Sequence, residues 1–407
     1  MRRARAAAMA LGAVLVSGCA GDYVSRTRAM REAYQAGDHD RAAALAEEEV
    51  RRGPERDRLL ALLDQGMILH AGRRWEESLP VLARAERLAA SLEAISVSEE
   101  GRALLENERA RAYRGEDFEK LMINVVQALN YAALGKDEDA LVEVRRVDER
   151  LRKMVQEEKK PYQQLAVARY LGGVLWEDSG NPDSAYIDYA DALRLAPGLG
   201  PLAEPALRLA RATGRADEAD ALAAARPALG ADPLGAEEGQ VVLVLEAGLS
   251  PEKRSSRQGA GPELLVVPVY VTRPWVRDAA TLEAGARRAD AVTVTSLEDV
   301  AQVHLSERIG RIAAKAVAST VVKGGVAAAV GEATDSEVLG WLTFLALTST
   351  SEADRRSWLS LPAELQVARL RLPAGTHEVE IRSGGKVLRR TVAVRPGRVT
   401  LLVERRY

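Results

Sequence analysis

Four histidines are the side chains of this chain best suited to acid–base or metal chemistry, and they are isolated from one another: His39, His70, His304 and His377. The sequence has no His-Glu-x-x-His pair and no aspartate-rich calcium loop, so it predicts no metal centre. It also has no Gly-x-Ser-x-Gly nucleophile elbow and no phosphate loop ending in Gly-Lys-Ser or Gly-Lys-Thr. We therefore expect no enzyme, no catalytic residue and no cofactor, with each histidine solvated or hydrogen-bonded locally.

One segment, residues 113–119, has the composition of a functional site. It interrupts the helical periodicity and combines charge with aromatic rings, at Tyr113, Glu116, Phe118 and Glu119. A helix would place the two glutamates on one face, whereas a glycosidase needs two carboxylates across a cleft. Two interpretations remain open. Tyr113, Glu116 and Phe118 contact a protein partner, or the segment is a turn between helical hairpins that Tyr113 and Phe118 anchor.

Cys19 is the only cysteine, and it follows the features of an export signal. Arg2, Arg3 and Arg5 form a basic start, and an apolar run over residues 6–16 follows. The run is too short to cross a bilayer, because a spanning helix needs about 20 apolar residues. The order of these features predicts a signal peptide over residues 1–18.

The residues before Cys19, Val16-Ser17-Gly18, resemble the bacterial lipobox. The resemblance implies that Cys19 receives a diacylglycerol on its sulfur, becomes the new N-terminus after cleavage, and is then N-acylated. Ala20 stands where an aspartate would favour retention in the inner membrane, so the resemblance implies an outer-membrane lipoprotein, lipid-anchored and facing the periplasm. An ordinary signal peptide with a chance cysteine is the alternative.

Charge argues against nucleic acid as a partner. The chain has 57 basic and 59 acidic side chains, and removal of the signal takes three of the arginines away. The mature chain is therefore slightly acidic, whereas nucleic-acid binding needs a basic face. With Cys19 lipidated, no thiol remains for a disulfide.

Two further apolar stretches, residues 316–331 and 338–351, are candidates for crossing a membrane. Lys323 interrupts the first, and the second is too short to span. We predict that both are buried helices, which leaves the lipid on Cys19 as the membrane anchor.

Residues 26–228 repeat a theme of helix, glycine turn and second helix. Gly37 and Gly72 are 35 residues apart, and Gly180 and Gly214 are 34 apart, which is the period of tetratricopeptide repeats. Together with Gly135, these turns predict five stacked hairpins, since no hairpin buries its apolar face alone. A generic helical bundle is the alternative.

The clearest repeat runs over residues 165–197. We expect Gly173 and Ala185 to face each other where its two helices approach most closely, and Trp176 and Tyr189 to fill the space between hairpins. The binding surface of a solenoid is its concave face, lined by first helices. Gln163 and Arg169 are therefore predicted to contact a protein partner.

Beyond a linker at residues 229–240, the pattern indicates strands at 241–245, 264–271 and 291–295. A polar stretch at 250–261 predicts a mobile loop, and Ser296 begins a helix. Alternating residues over 365–407, with turns at 373–375 and 383–385, predict a β-meander. The predicted fold class is mainly α: a tetratricopeptide-like α-solenoid followed by a smaller α+β domain over residues 241–407.

Two resemblances concern the C-terminal region. Residues 365–407 are similar to the small PEGA module, an envelope adaptor that has no catalytic residues. The runs at 113–119, 128–131 and 356–364 resemble those of an uncharacterised family of bacterial lipoproteins with a lipobox, helical repeats and a mixed C-terminal domain. The predicted function is an outer-membrane-anchored periplasmic lipoprotein that binds protein as a scaffold in cell-envelope assembly or maintenance. A glycan-binding module or hydrolase, with its site in the C-terminal domain, is the alternative.

Overall fold

The computed structural model describes residues 22–99, 112–154, 165–227, 229–230, 232–258, 265–306 and 354–407. Cys19 and its signal, Gln163 and the apolar stretches 316–331 and 338–351 lie outside these residues. In the described part of the chain, no helix has the length and hydropathy needed to cross a membrane.

The N-terminal half is an array of helices that pair into hairpins around the predicted glycine turns. Local signals begin several of them: the carboxylate of Asp38 accepts from the backbone N–H of Arg41, and Asn181 caps a helix whose first residue is Pro182. The described helices of this half are α1 Tyr23–Arg26, α2 Arg28–Gln35, α3 His39–Arg52, α4 Arg58–Ala71, α5 Trp75–Glu99, α6 Asp117–Ala133, α7 Asp137–Arg152, α8 Ala166–Asp178, α9 Pro182–Leu195, α10 Glu204–Ala212 and α11 Ala216–Ala225.

Four of the five predicted turn glycines have the left-handed backbone that glycine tolerates best. Gly37, Gly135, Gly180 and Gly214 have φ between 70° and 77°. The exception is the turn between α4 and α5, where Arg73 takes φ of 60°. A Cβ on the preceding Gly72 would come within 3.0 Å of the Cβ of His39. Gly72 is therefore needed for close packing against α3. The left-handed conformation that the turn requires is adopted by Arg73 instead.

First and second helices of the hairpins differ in burial. Twelve of the 14 residues of α4, 14 of the 17 of α6 and 11 of the 13 of α8 are buried. The second helices α7 and α9 bury only six residues each. A helix buried all round must be covered on both sides, so the first helices are enclosed between the second helices and another layer of the fold.

The close approach within the clearest hairpin, α8–α9, involves Gly173 and Tyr189. A Cβ on Gly173 would lie 2.6 Å from the ring of Tyr189, which is the nearest side chain. Ala185 is fully buried, and its position opposite Gly173 stays a prediction. Tyr189 needs the room because its ring lies inside the hairpin, while Trp176 contacts Arg145 of the preceding hairpin, 5.1 Å from ring centroid to guanidinium carbon.

The described strands of the C-terminal half form two four-stranded sheets and a two-stranded one. The first sheet has the order β10-β1-β7-β6, the second has the order β5-β4-β8-β9, and β2 pairs with β3. A helix over residues 297–306 follows β6, and the hydroxyl of Ser296 accepts from Asp299 N–H at its start, as predicted. The described strands are β1 Glu238–Ala247, β2 Glu252–Gln258, β3 Leu265–Val271, β4 Thr281–Ala284, β5 Arg287–Asp290, β6 Val292–Ser296, β7 Glu364–Pro373, β8 Gly375–Ser383, β9 Lys386–Val394 and β10 Val399–Arg406.

The first sheet is the middle layer of the molecule. One face, with Val242 and Val244 of β1, belongs to the same apolar cluster as the first helices. The other face, with Val241 and Leu243, packs against Ile381 and its neighbours on the second sheet. Because successive side chains of a strand point to opposite faces, β1 is apolar on both sides. The layers are therefore helices, first sheet and second sheet.

Three predictions about the C-terminal half need correction. The strands over 365–407 occur, but a meander would pair each with the next, and of these only β8 and β9 are paired neighbours in sequence. β7 and β10 instead flank β1, because it needs partners on both edges. The predicted loop at 250–261 contains β2, whose polar residues suit a strand paired on one edge to the apolar β3. The predicted linker ends earlier, since β1 begins at Glu238.

Candidate functional site

The concave face of the helical array, the predicted binding surface, is occupied by the chain itself. Val242 and Val244 of β1 and Val403 of β10 share one buried cluster with Leu63 of α4 and Val126 of α6. The prediction that first helices present this face to a partner is thus wrong for α4 and α6, which the first sheet covers. Apolar first helices need a cover, and the first sheet supplies it.

A segment without helix or strand enters the same interior. Residues 356–363, here called the inserted segment, are all buried, and they lead directly into β7. Trp358 at its centre is 1% exposed, and its indole N–H donates to the hydroxyl of Ser360 at 2.9 Å. The array therefore encloses a stretch of irregular polypeptide from the far end of the chain.

Side chains of the array hold the backbone of the inserted segment. Glu119 of α6 accepts from the N–H of Trp358 at 2.6 Å. Asp64 of α4 accepts from the N–H of Ser360 at 3.3 Å, and the hydroxyl of Tyr34 donates to the carbonyl of the same serine at 2.9 Å. These contacts replace the backbone hydrogen bonds that a buried irregular segment lacks. The inner face of the array therefore holds the backbone of a distant part of the same chain.

The predicted site at 113–119 is the place where the inserted segment enters. Tyr113 donates to the carboxylate of Glu119 at 2.5 Å, and the guanidinium of Arg356 lies 5.4 Å from the Tyr113 ring centroid. The same carboxylate accepts from the N–H of Glu116 at 2.9 Å, completing a capping box at the start of α6. Two runs singled out separately in the sequence, 113–119 and 356–364, thus form one site.

Glu119 has an unusual environment for a carboxyl group. Burial raises its pKa to about 7, with Lys253 opposing and Glu116 adding to the shift. Its oxygens accept from Trp358 N–H and Tyr113 O–H. Both donors favour the carboxylate and so oppose the rise in the pKa of Glu119, and through the bond to Trp358 the carboxyl group positions the inserted segment.

The three residues predicted to bind a partner in this region make contacts within the chain. Tyr113 is 3% exposed and Phe118 is 2% exposed. The Phe118 ring meets Tyr270 edge-on at 6.3 Å and His304 at 5.6 Å between centroids. Glu116 forms an ion pair with Lys253 of β2. The interpretation as a turn anchored by Tyr113 and Phe118 describes this geometry better than a partner surface does.

Arg169, the partner-binding candidate on α8, lies among carboxylates of its own array. Its guanidinium is 3.0 Å from Asp148 of α7 and 2.8 Å from Asp188 of α9. Burial raises the pKa of Asp148 to about 6, although Arg169 opposes the shift. Arg169 therefore joins the second helices of two neighbouring hairpins, and its role toward a partner stays a prediction.

A buried charged centre between the array and the first sheet was not identified from sequence. Glu177 of α8 forms ion pairs with Arg369 of β7 and Arg208 of α10. It also accepts from Gln240 at 2.9 Å and from the hydroxyl of Tyr189 at 2.8 Å. Burial alone would raise the pKa of Glu177, but the two arginines outweigh it and lower the pKa to about 2. The sequence signal was the acidic pair Glu177-Asp178 at the end of a mainly apolar helix.

His70 forms a second buried centre in the same interface. The Ser78 hydroxyl donates to the carbonyl of Gly66, so Asn130 must give its N–H to Ser78 and turn its oxygen toward His70 Nδ1, 2.6 Å away. The other ring nitrogen faces Glu246 of β1 at 3.1 Å. This arrangement favours a protonated His70 that donates from both ring nitrogens, to Asn130 and to Glu246.

The stability of the protein is expected to fall as the pH rises above about 6.5. Burial and Arg405 lower the pKa of His70, but Glu246 and Asn130 outweigh them and raise it above its usual value of 6.5. A raised pKa in the folded state gives stability that is complete below the unfolded pKa and lost as the pH rises through the folded one. Glu246→Gln should flatten this dependence in urea unfolding measured from about pH 6 to about pH 9.

The matched control for that measurement is His377→Gln. His377 Nε2 lies 2.7 Å from the carbonyl of Pro373 on the surface of the second sheet. This variant should keep the wild-type pH dependence, and a flattened one would show that His70 is not its source.

Among the described residues, no group of three or more histidine, cysteine or acidic side chains could hold a metal ion. His39 contacts the hydroxyl of the C-terminal Tyr407 at 2.9 Å. His304 is buried against Phe118. The prediction that each histidine is solvated or hydrogen-bonded locally holds for His377. It is wrong for His70 and His39, whose ring nitrogens contact residues far away in sequence.

No protein-family model matches the sequence, and no curated protein matches it. Solved structures do show likeness. A crystal structure of the protein MamA is 13% identical with a TM-score of 0.34, over 52% of this chain and 97% of that chain. MamA of AMB-1 is 16% identical with a TM-score of 0.31, over 50% and 96%. A tetratricopeptide repeat protein from Parabacteroides merdae is 14% identical with a TM-score of 0.23, over 52% and 81%.

Proposed function

We propose that this chain is an outer-membrane-anchored periplasmic lipoprotein that acts as a protein-binding scaffold in cell-envelope assembly or maintenance. One observation carries the scaffold proposal. The inner face of the helical array holds irregular polypeptide through side chain to backbone hydrogen bonds, as Glu119 does with Trp358 N–H. Such contacts recognise polypeptide as such, whereas the four separated histidines offer no shared reactive centre.

Because the first sheet and the inserted segment cover the inner face of the array, we expect a partner to bind the outer face. The second helices α7 and α9 carry Val142 and Ile187, which are 41% and 50% exposed. They are among the large exposed apolar side chains of the described residues, and apolar anchors at a rim of polar residues are typical of protein interfaces. A scaffold whose groove is filled in cis would therefore bind its partner across these outer faces.

The alternative, a glycan site in the C-terminal domain, has less support. The space between the two four-stranded sheets is filled by apolar side chains, including Leu243, Leu282 and Ile381. A sugar-binding cleft would need carboxylates and exposed aromatic rings. We therefore give the scaffold proposal precedence.

The anchor is tested by Cys19→Ala. If Cys19 carries the lipid, the variant should remain unprocessed or become soluble and disappear from the outer-membrane fraction, because single-chain or absent lipidation does not hold a protein on a membrane. Fractionation of cell envelopes, with mass spectrometry of the N-terminal peptide, measures both. A variant that fractionates like the wild type would contradict the lipoprotein proposal.

The scaffold is tested by site-specific photocrosslinking in living cells. A photoreactive residue at Ile187 or Val142 should join the lipidated protein to one specific envelope protein, identified by mass spectrometry. The same residue at Val387 on β9, which is 47% exposed, is the matched control outside the array. Crosslinks of the same composition from all three positions, or none from any, would contradict binding through the outer face.

A further inference from the structure

The short distance between the predicted anchor and the folded chain fixes which face meets the membrane. Asp22 caps α1 by accepting from Ser25 N–H, and it forms an ion pair with Arg355. Two residues lie between it and Cys19, so three Cα–Cα steps join them, and a fully extended chain covers about 3.6 Å per step. The lipid-bearing residue therefore lies within about 11 Å of Asp22. The surface around Asp22 must face the headgroup layer closely.

This surface presents arginines further outward than the carboxylates that pair with them. The side chain of Arg254 is 64% exposed, while its partner Glu252 is 23% exposed. Arg355 is 42% exposed against 32% for Asp22, and Arg56 is 39% exposed against 3% for Asp57. The pairs are neutral in sum, but in each of them the arginine is the more exposed partner and is therefore the group that an anion can reach.

A surface cavity beside α1 gathers several of these groups. It has a volume of about 350 Å³, and its lining includes Lys253, Arg254, Ser255 and Arg355, with Glu252 as the acidic member. The side chain of Lys253 is 3% exposed and forms an ion pair with Glu116. Val24, one residue beyond the start of α1, completes the wall. The cavity therefore brings three cationic side chains, each paired with a carboxylate, next to the proposed anchor.

We propose that this cavity binds the phosphate groups of anionic lipid headgroups in the membrane that holds the anchor. The proposal rests on the lipidation of Cys19 proposed above. The phosphate would accept from Arg254 and Arg355 at the rim, while Ser255 lies beside them and is exposed. Such contacts would hold the array in one orientation on the membrane.

A fluorescent probe at a single introduced cysteine can measure this contact. Cys19 is the only cysteine of the chain and lipidation would consume its sulfur, so Ser255→Cys would carry the only reactive thiol. Full-length lipidated protein is placed in vesicles of phosphatidylethanolamine and phosphatidylglycerol, or of phosphatidylcholine alone, each with a quencher on the headgroup. Asp220→Cys on α11, exposed in the last hairpin, is the matched control.

We expect quenching at position 255 in the anionic vesicles, its loss in phosphatidylcholine, and none at position 220 in either. Arg254→Glu should abolish the difference between the two vesicle types. Arg254 is largely exposed, so this variant should fold normally, and Arg355→Glu provides a second test.

Equal quenching at positions 255 and 220, or equal quenching at position 255 in the two vesicle types, would overturn the assignment of this cavity. Neither result would contradict the lipidation of Cys19. Loss of the lipid dependence on adding inorganic phosphate at constant ionic strength would assign the cavity to a free anion. Absence of lipid on Cys19 in the mass spectrum would instead overturn the anchor, and with it this orientation.

Discussion

Replacing Arg369 with methionine is expected to lower the free energy of unfolding by about 3 kcal/mol, the lower part of the range for breaking a buried ion pair. The substitution leaves the buried carboxylate of Glu177 with Arg208 as its remaining cation. It also removes the donor that contacts the hydroxyl of Tyr189 at 2.7 Å. Because Arg369 is on β7 and Glu177 is on α8, the substitution weakens the contact between the first sheet and the helical array. Urea unfolding followed by circular dichroism measures it.

The pH dependence of that loss identifies its source. The pKa of Glu177 is lowered to about 2 from the ordinary value of 4.5. Its contribution to stability is therefore present above about pH 4.5 and is lost as the pH falls toward 2. The difference between wild type and Arg369→Met should shrink over the same interval, since a protonated Glu177 needs no cation.

Arg389→Met is the control for Arg369→Met. Arg389 is 70% exposed on β9 and pairs with Glu380, and exposed ion pairs contribute about 0 to 1 kcal/mol. If the two variants lost equal stability, the buried centre would not join the two halves of the fold.

The helical array was predictable because its signals are local. A glycine at φ near 76°, as at Gly180, follows from the sequence whenever a hairpin period recurs, and caps such as Asn181 sit next to the helices they begin. Arg73 shows the limit of this reasoning. Its left-handed conformation depends on the packing of Gly72 against α3. The spacing of glycines along the sequence cannot predict that contact.

Strand pairing was not predictable for the opposite reason. Alternation locates β10, but its parallel pairing with β1 joins residues about 160 positions apart, as Val244 and Val403 do. Period-two patterns show which face of a strand is apolar and say nothing about its neighbours. A β1 that is apolar on both faces indicated a central strand, and this signal was available in residues 241–245.

For the candidate site, the sequence identified the correct segment, residues 113–119. It predicted contact with a separate protein, whereas the segment contacts residues 356–363 of the same chain. The aromatic and acidic composition of 113–119 marks a place where polypeptide is held, and the polypeptide proves to be the inserted segment. A buried tryptophan flanked by serines, at Trp358 and Ser360, looks like an ordinary turn in sequence. Only the fold shows that Glu119 and Asp64 lie opposite its backbone.

Whether the inserted segment is part of the folding core or a replaceable ligand is a question that Trp358→Ala can answer. Trp358 is among the largest fully buried side chains, and truncation of a buried tryptophan costs about 3 to 5 kcal/mol because it removes apolar contacts and leaves a cavity. Trp75→Ala is the control, since Trp75 is only partly buried beside Arg73. Denaturant unfolding compares the two.

We expect one cooperative transition that is shifted strongly by Trp358→Ala and weakly by Trp75→Ala. Such a result would mean that the groove opens only when the whole protein unfolds, because Asp64 and Glu119 bind the segment as part of the core. A small shift for Trp358→Ala, equal to that of Trp75→Ala, would instead show that the array folds without its occupant. The inner face would then be free to exchange its own segment for that of a partner, and the outer faces of α7 and α9 would no longer be the preferred place to look for one.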